Sequence, residues 1–171
     1  MRTEEVAFVE AGREDLGIVR ELFLEYAESL GIDLSFQSFQ SEIDSLPGKY
    51  AKPDGALILA KRGSECCGCV ALRRIDGETC EMKRLYVRPR FRKRGIGKGL
   101  AMRIIAEGEA RGYARMRLDT LSSMKGALAL YRSLGFHEIG PYIYNPIAGA
   151  LFMEREINPR PGARRSEGVA D

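Results

Sequence analysis

Leu85-Tyr86-Val87-Arg88-Pro89-Arg90-Phe91-Arg92-Lys93-Arg94-Gly95-Ile96-Gly97-Lys98-Gly99-Leu100 is the stretch from which the rest of the chain is read. An apolar strand end is closed by Pro89, which has no N–H to give to a ladder. A basic loop follows, and glycines then open a helix carrying Leu100, Ile104 and Ile105 on one side. Glycine lets the backbone turn sharply and bring its N–H groups close to a ligand. The helix N-terminus adds unsatisfied N–H groups and a partial positive charge. Together these make an anion site, and a diphosphate suits it. The spacing excludes two familiar loops. A Walker A loop needs Gly-Lys-Ser/Thr after four intervening residues, and a dinucleotide-binding turn needs its third glycine one residue later than Gly99.

The charge around this loop points the same way. Lys83, Arg84, Arg88, Arg90, Arg92, Lys93, Arg94, Lys98 and Arg103 occur without an intervening Asp or Glu. Such a cluster reads either as a solvated basic face or as the seat of a phosphate-bearing ligand. The whole chain, with 171 residues and a net charge of +3, carries no such bias. Its length fits one domain, expected over 3–157, followed by a Pro/Gly/Arg/Ser-rich tail, 158–171, expected to be disordered. No apolar run of about 18 residues occurs, and no secretory h-region follows Met1, so a cytoplasmic protein with no membrane partner is expected. Cys66, Cys67, Cys69 and Cys80 are expected as buried free thiols rather than metal ligands. Adjacent Cys66 and Cys67 point to opposite faces of a strand.

Upstream of the loop, Val6–Glu10 reads as a first strand. Leu16, Val19, Phe23, Tyr26 and Leu30 form a helical stripe ended by Gly31, and Phe36, Phe39, Ile43 and Leu46 a second, stopped by Pro47-Gly48. Ala56–Lys61, Cys66–Arg74 and Thr79–Val87 read as an antiparallel meander with Asp76-Gly77 as a hairpin turn. Downstream, Arg115–Thr120 alternates as a strand. Met124, Ala127, Leu128, Tyr131 and Leu134 make a helix ended by Gly135. Phe136–Ile139, Tyr142–Tyr144 and Ala150–Ile157 read as terminal strands. The order implies an α/β (α+β) domain with a mixed sheet, and a parallel crossover from Thr79 to Thr120.

Arg92-Lys93-Arg94-Gly95-Ile96-Gly97 resembles the R/Q-x-x-G-x-G/A motif of the GCN5-related N-acetyltransferase (GNAT) family. Ala127-Leu128-Ala129-Leu130-Tyr131-Arg132-Ser133-Leu134-Gly135-Phe136 is similar to its A-x-x-L-Y-x-x-L-G-F signature. The resemblance spans roughly Val6 to Ile157. It implies a single-domain fold in which a central, mostly antiparallel sheet splays open between two parallel strands, here Thr79–Val87 and Arg115–Thr120. It implies acetyl-CoA as co-substrate and no metal. The pantetheine arm would pair with the backbone of Leu85, Tyr86 and Val87. The diphosphate would lie on the N–H groups of Lys93, Arg94, Gly95, Ile96, Gly97 and Lys98, with charge added by Arg92 and Lys98.

In such an enzyme acetyl passes directly to a neutral amine of a small molecule or peptide, so a base must take the amine proton and an acid must protonate the leaving sulfur. The resemblance gives the acid to Tyr131, whose spacing with Leu128 and Leu134 also suits a core aromatic. For the base, Glu81 and Asp119 are the candidates, Glu81 favoured slightly. Either also reads as a strand residue paired with Lys83 or Arg117. Many relatives carry Asn where this chain has Met124. The acceptor pocket would draw on Leu30–Tyr50 and Pro141–Ala148, where Tyr50, Tyr142 and Tyr144 are candidate lining residues. A non-catalytic CoA-binding regulatory or sensor module is the alternative. Nucleic-acid binding is disfavoured, since only Tyr86 and Phe91 interleave the basic run. A homodimer is compatible with the resemblance, though no residue demands one.

Overall fold

The central strands are nearly continuous buried runs, covered on both faces, whereas the strand over Arg115–Leu121 alternates buried and half-buried residues. The computed structural model describes residues 5–35 and 38–158. Seven strands form one sheet: β1 (Val6–Glu10), β2 (Ala56–Arg62), β3 (Glu65–Arg74), β4 (Thr79–Val87), β5 (Arg115–Leu121), β6 (His137–Ile139) and β7 (Ala150–Glu156). Their order is β1-β2-β3-β4-β5-β7-β6. All neighbours are antiparallel except β4 and β5, which are parallel. This mixed sheet with flanking helices is the expected α/β architecture.

Among the described residues four α-helices cover it: α1 (Leu16–Leu30), α2 (Phe39–Asp44), α3 (Ile96–Ala110) and α4 (Lys125–Ser133). Gly31 ends α1 in the left-handed conformation, φ 61°, where only glycine is free of a Cβ penalty. Two cores form, one per sheet face. Val19, Leu22 and Phe23 of α1 pack on Leu57, Leu59 and Tyr86. Leu100 and Ile104 of α3, with Leu128 and Tyr131 of α4, pack on Met82, Met116 and Leu118. Cys66 and Cys67 are buried in opposite cores, as strand alternation requires. All four cysteines are free thiols.

Two expectations change. Tyr142–Tyr144 is not a strand: β7 is paired by β5 on one side and β6 on the other, and the segment between β6 and β7 runs as an irregular loop in which the Tyr142 hydroxyl is turned to Glu81. The second helix is short, beginning at Phe39. Phe36, residues 3 and 4 of the expected domain, and tail residues 159–171 lie outside the described residues.

Candidate functional site

The ladder between β4 and β5 ends early. It joins Thr79 to Arg115, Cys80 to Met116 and Glu81 to Arg117, and stops there. Yet β4 continues to Val87 and β5 to Leu121. Parallel strands that part in mid-sheet leave a wedge, and α3 and α4 line one side of it. The register of β4 against β3 also slips. Cys69 faces Tyr86 and Ala71 faces Lys83, so Arg84 and Leu85 together oppose Val70. This is a β-bulge, and Arg84 takes φ 60° at it.

A left-handed φ at a non-glycine residue is costly and needs support. Arg84 receives it from its side chain, which is buried. Its Nε donates to Glu42 Oε2 at 2.8 Å and a terminal nitrogen to Oε1 at 3.1 Å. The guanidinium also lies 5.6 Å from the Tyr26 ring centroid and 5.2 Å from that of Phe39. Tyr50 donates to the same carboxylate at 2.7 Å. Burial raises the Glu42 carboxyl, but the Arg84 guanidinium outweighs it and holds the group below its ordinary range. Helix α2 is thereby tied to the bulge.

Below the wedge lies a cleft of about 550 Å³, walled by Leu85, Val87, Ile96 and Leu130 and rimmed by Arg92 and Lys93. Its size is that of a ligand site. The glycine turn opens on it. Gly95 precedes α3 with φ 77°. A Cβ on Gly97 would lie 3.8 Å from Val87 Cγ2 and 3.9 Å from Leu130 Cδ2, inside the cleft. Gly99 differs from both: a side chain there would run into the Phe8 ring, so its absence serves packing. Arg92 reaches back and donates from Nε to the Val87 carbonyl at 2.9 Å. The cleft therefore offers an apolar channel, an exposed strand edge, a helix N-terminus and cationic side chains. That combination fits an extended ligand with a long arm and a diphosphate group.

The basic cluster divides in two. Arg84 is committed to Glu42, Arg88 to Glu21 and Glu25, Arg90 to Glu65 and Arg103 to Glu107. Arg92, Lys93, Arg94 and Lys98 stay exposed around the turn.

At the apex of the wedge a smaller recess, about 50 Å³, is lined by Tyr26, Leu30, Lys83, Asp119, Tyr131 and Asn145, among others. Asp119 Oδ2 accepts from Asn145 Nδ2 at 3.0 Å, while Arg117 pairs with Glu154. Burial, with Tyr26 and Asp119 nearby, pushes the Tyr131 hydroxyl well above the ordinary tyrosine value. Tyr131 and Asp119 thus share one recess. Glu81 is not among its walls and is wholly buried. It accepts from Arg73 Nε at 2.6 Å and from the Tyr142 hydroxyl at 2.5 Å, with Lys83 Nζ at 3.8 Å. Burial raises its pKa, but Lys83 and Arg73 outweigh that and keep it below the ordinary value.

Of the candidate pocket tyrosines, Tyr50 is buried against Glu42 and Tyr142 is held by Glu81, while Tyr144 is exposed. Leu30, Leu34, Asn145 and Ile147 supply the walls instead. Lys83 and Asn145 were missed as site residues. Asn145 sits in a loop with no period to read. Among the described residues no cluster of three or more His, Cys, Asp or Glu could hold a metal, and no helix is long and apolar enough to cross a membrane.

Comparison with known proteins agrees with this geometry. The model of the acetyltransferase (GNAT) family matches residues 17–136. An uncharacterised N-acetyltransferase of Schizosaccharomyces pombe is 39% identical over 147 residues, covering 85% of this chain and 90% of its own length. A GNAT-family acetyltransferase from Staphylococcus aureus superposes with a TM-score of 0.73 at 21% identity, covering 90% of this chain and all of its own. The PaiA N-acetyltransferase of Thermoplasma acidophilum, solved with coenzyme A, gives 0.68 at 20% identity, covering 89% of this chain and 99% of its own.

Proposed function

The chain belongs to the GNAT acetyltransferase family, and on that premise we propose that it moves acetyl directly from acetyl-CoA to the amine of a small-molecule or peptide acceptor, within the wedge between β4 and β5. The observation that carries this reading is the early end of the β4–β5 ladder at Glu81 and Arg117, beside the glycine turn that opens α3.

Bound in the cleft, acetyl-CoA supplies an activated thioester carbonyl. The backbone of Leu85, Tyr86 and Val87 pairs with its pantetheine arm, as a strand edge pairs with an added strand. N–H groups from Lys93 to Lys98 hold the diphosphate at the head of α3, with Arg92 and Lys98 adding charge. Tyr131 gives its proton to the departing sulfur. Its raised pKa keeps it protonated through the neutral range, which an acid requires. Asp119 takes the amine proton. It is preferred to Glu81 because it lines the recess with Tyr131, whereas the Glu81 oxygens are engaged by Arg73 and Tyr142.

Release of the CoA thiol during turnover of an amine panel tests the assignment. Tyr131→Phe should lower kcat about 100-fold, the size of a general-acid contribution, with little change in the KM for acetyl-CoA. Asp119→Asn should lower the rate similarly near neutrality and recover as rising pH deprotonates the amine in solution. Unchanged turnover in either variant removes that residue from the mechanism.

A further inference from the structure

Resting on the acetyl-transfer reading with Asp119 as its base, we propose that Asn145 is the positioning residue of that base. Its side-chain amide holds one oxygen of the Asp119 carboxylate and leaves the other for the amine proton. The geometry is a short relay. Ile147 N–H donates to Asn145 Oδ1 at 3.1 Å, and Asn145 Nδ2 donates to Asp119 Oδ2 at 3.0 Å. The first bond fixes the second. Ile147 N–H is a donor and needs an acceptor, so the amide oxygen faces it and the amide nitrogen faces Asp119. Asn145, Asp119 and Tyr131 line the same recess.

The loop that carries Asn145 is pinned on both sides of it. Before it, the Tyr142 hydroxyl donates to Glu81 at 2.5 Å, beside the last rung of the β4–β5 ladder. After it, Ser122 N–H donates to the Gly149 carbonyl at 2.8 Å, just past the end of β5. Gly149 takes φ 84° there, and a Cβ on it would crowd Ser122 Oγ. Pro146 follows Asn145 and disfavours a helical backbone at it. The span between the two ties is short, so the amide has little room to wander. Asp119 needs such a hold. It lies beyond the last rung, Glu81 with Arg117, where β4 no longer runs beside β5 to crowd its side chain into one position. A reacting group misplaced by about 1 Å can lose about 100-fold in rate, and the fixed amide opposes that displacement.

The test is a double-mutant cycle on the full-length protein, reading CoA release with acetyl-CoA and a panel of tyramine, spermidine, glycinamide and L-glutamate. Asn145→Ala should lower kcat about 10-fold, the worth of one hydrogen bond to a charged group, with the KM for acetyl-CoA unchanged. In the Asp119→Asn background the same change should lower kcat no further, because a residue that acts through another has no effect once that other is gone. Asn145→Leu, of the same branched shape without a donor, should repeat both results, and it stands in if the alanine variant fails to fold. A fall of equal size in both backgrounds, which a loop-holding role alone would give, overturns the inference. So does an unchanged kcat in the Asn145 variants. The two levels separate. If Asp119→Asn is slow and the Asn145 variants are not, only the positioning role falls. If Asp119→Asn turns over at the unaltered rate, or no panel amine is acetylated, the reading beneath falls and takes the positioning role with it.

Discussion

At the scale of single residues, Glu81 and Asp119 show how one functional group takes different roles on one sheet face. Both carboxylates sit on β4 and β5 near the end of the ladder. Glu81 is sealed in with Arg73, Lys83 and Tyr142, while Asp119 meets the recess. Removing one member of a buried ion pair leaves a charge stranded, at a cost of about 3 kcal/mol. Glu81→Gln should therefore lower stability by about that amount at neutral pH, read by urea unfolding. The folded-state pKa of Glu81 is depressed below the ordinary 4.5. Its contribution is full above that value and is lost as pH falls through the depressed one. The gap between the two proteins should close on acidification. A gap that persists at low pH contradicts the assignment. The spacing around Tyr131 marked it in the sequence, but the choice between two carboxylates was not legible there. It depends on which of them Arg73 and Tyr142 reach: Arg73 is the cross-strand partner of Glu81, but Tyr142 comes from a loop 61 residues away along the chain.

At the scale of elements, the decisive irregularity is the bulge at Arg84. Simple alternation along β4 puts Arg84 on the face of Cys80 and Met82. With the bulge, Arg84 joins Glu42, Tyr26 and Phe39 on the other side, and Leu85 and Val87 turn to the cleft. A period of two carries no mark of one extra residue, so this face change could not be read from sequence. The glycine turn was readable as a turn, but its glycines differ in purpose. Gly95 supplies a left-handed φ and Gly97 opens the cleft, whereas Gly99 makes room for Phe8. Gly99→Ala should cost about 2 kcal/mol, the typical price of overpacking, seen as a lower urea midpoint. Phe8→Leu in the same chain should recover part of it. A neutral single variant would show that the Phe8 ring yields freely. The basic cluster likewise was legible as charge but not as division. Only the paired acids on α1, α2, α3 and β3 reveal which arginines are structural.

At the scale of the whole molecule, the order of the main strands and helices came through because those elements are long or strongly periodic. Val6–Glu10 and Thr79–Val87 have the expected limits. The segment Tyr142–Tyr144 failed because three alternating residues specify no partner strand. Two long-range consequences were hidden: the wedge, which opens where β5 leaves β4 after three pairs, and the tie from α2 to the bulge, which forms where the β3–β4 register slips and Arg84 reaches Glu42. The account stands on that wedge holding acetyl-CoA, and calorimetric titration of acetyl-CoA into the protein and into Gly97→Phe tests it most directly. Gly97 is the suitable position because it lacks the left-handed φ of Gly95 and a side chain there projects into the cleft. The account predicts one-site binding to the unaltered protein, abolished in Gly97→Phe while its urea unfolding stays cooperative. Equal binding by the two proteins, or none by either, would contradict it.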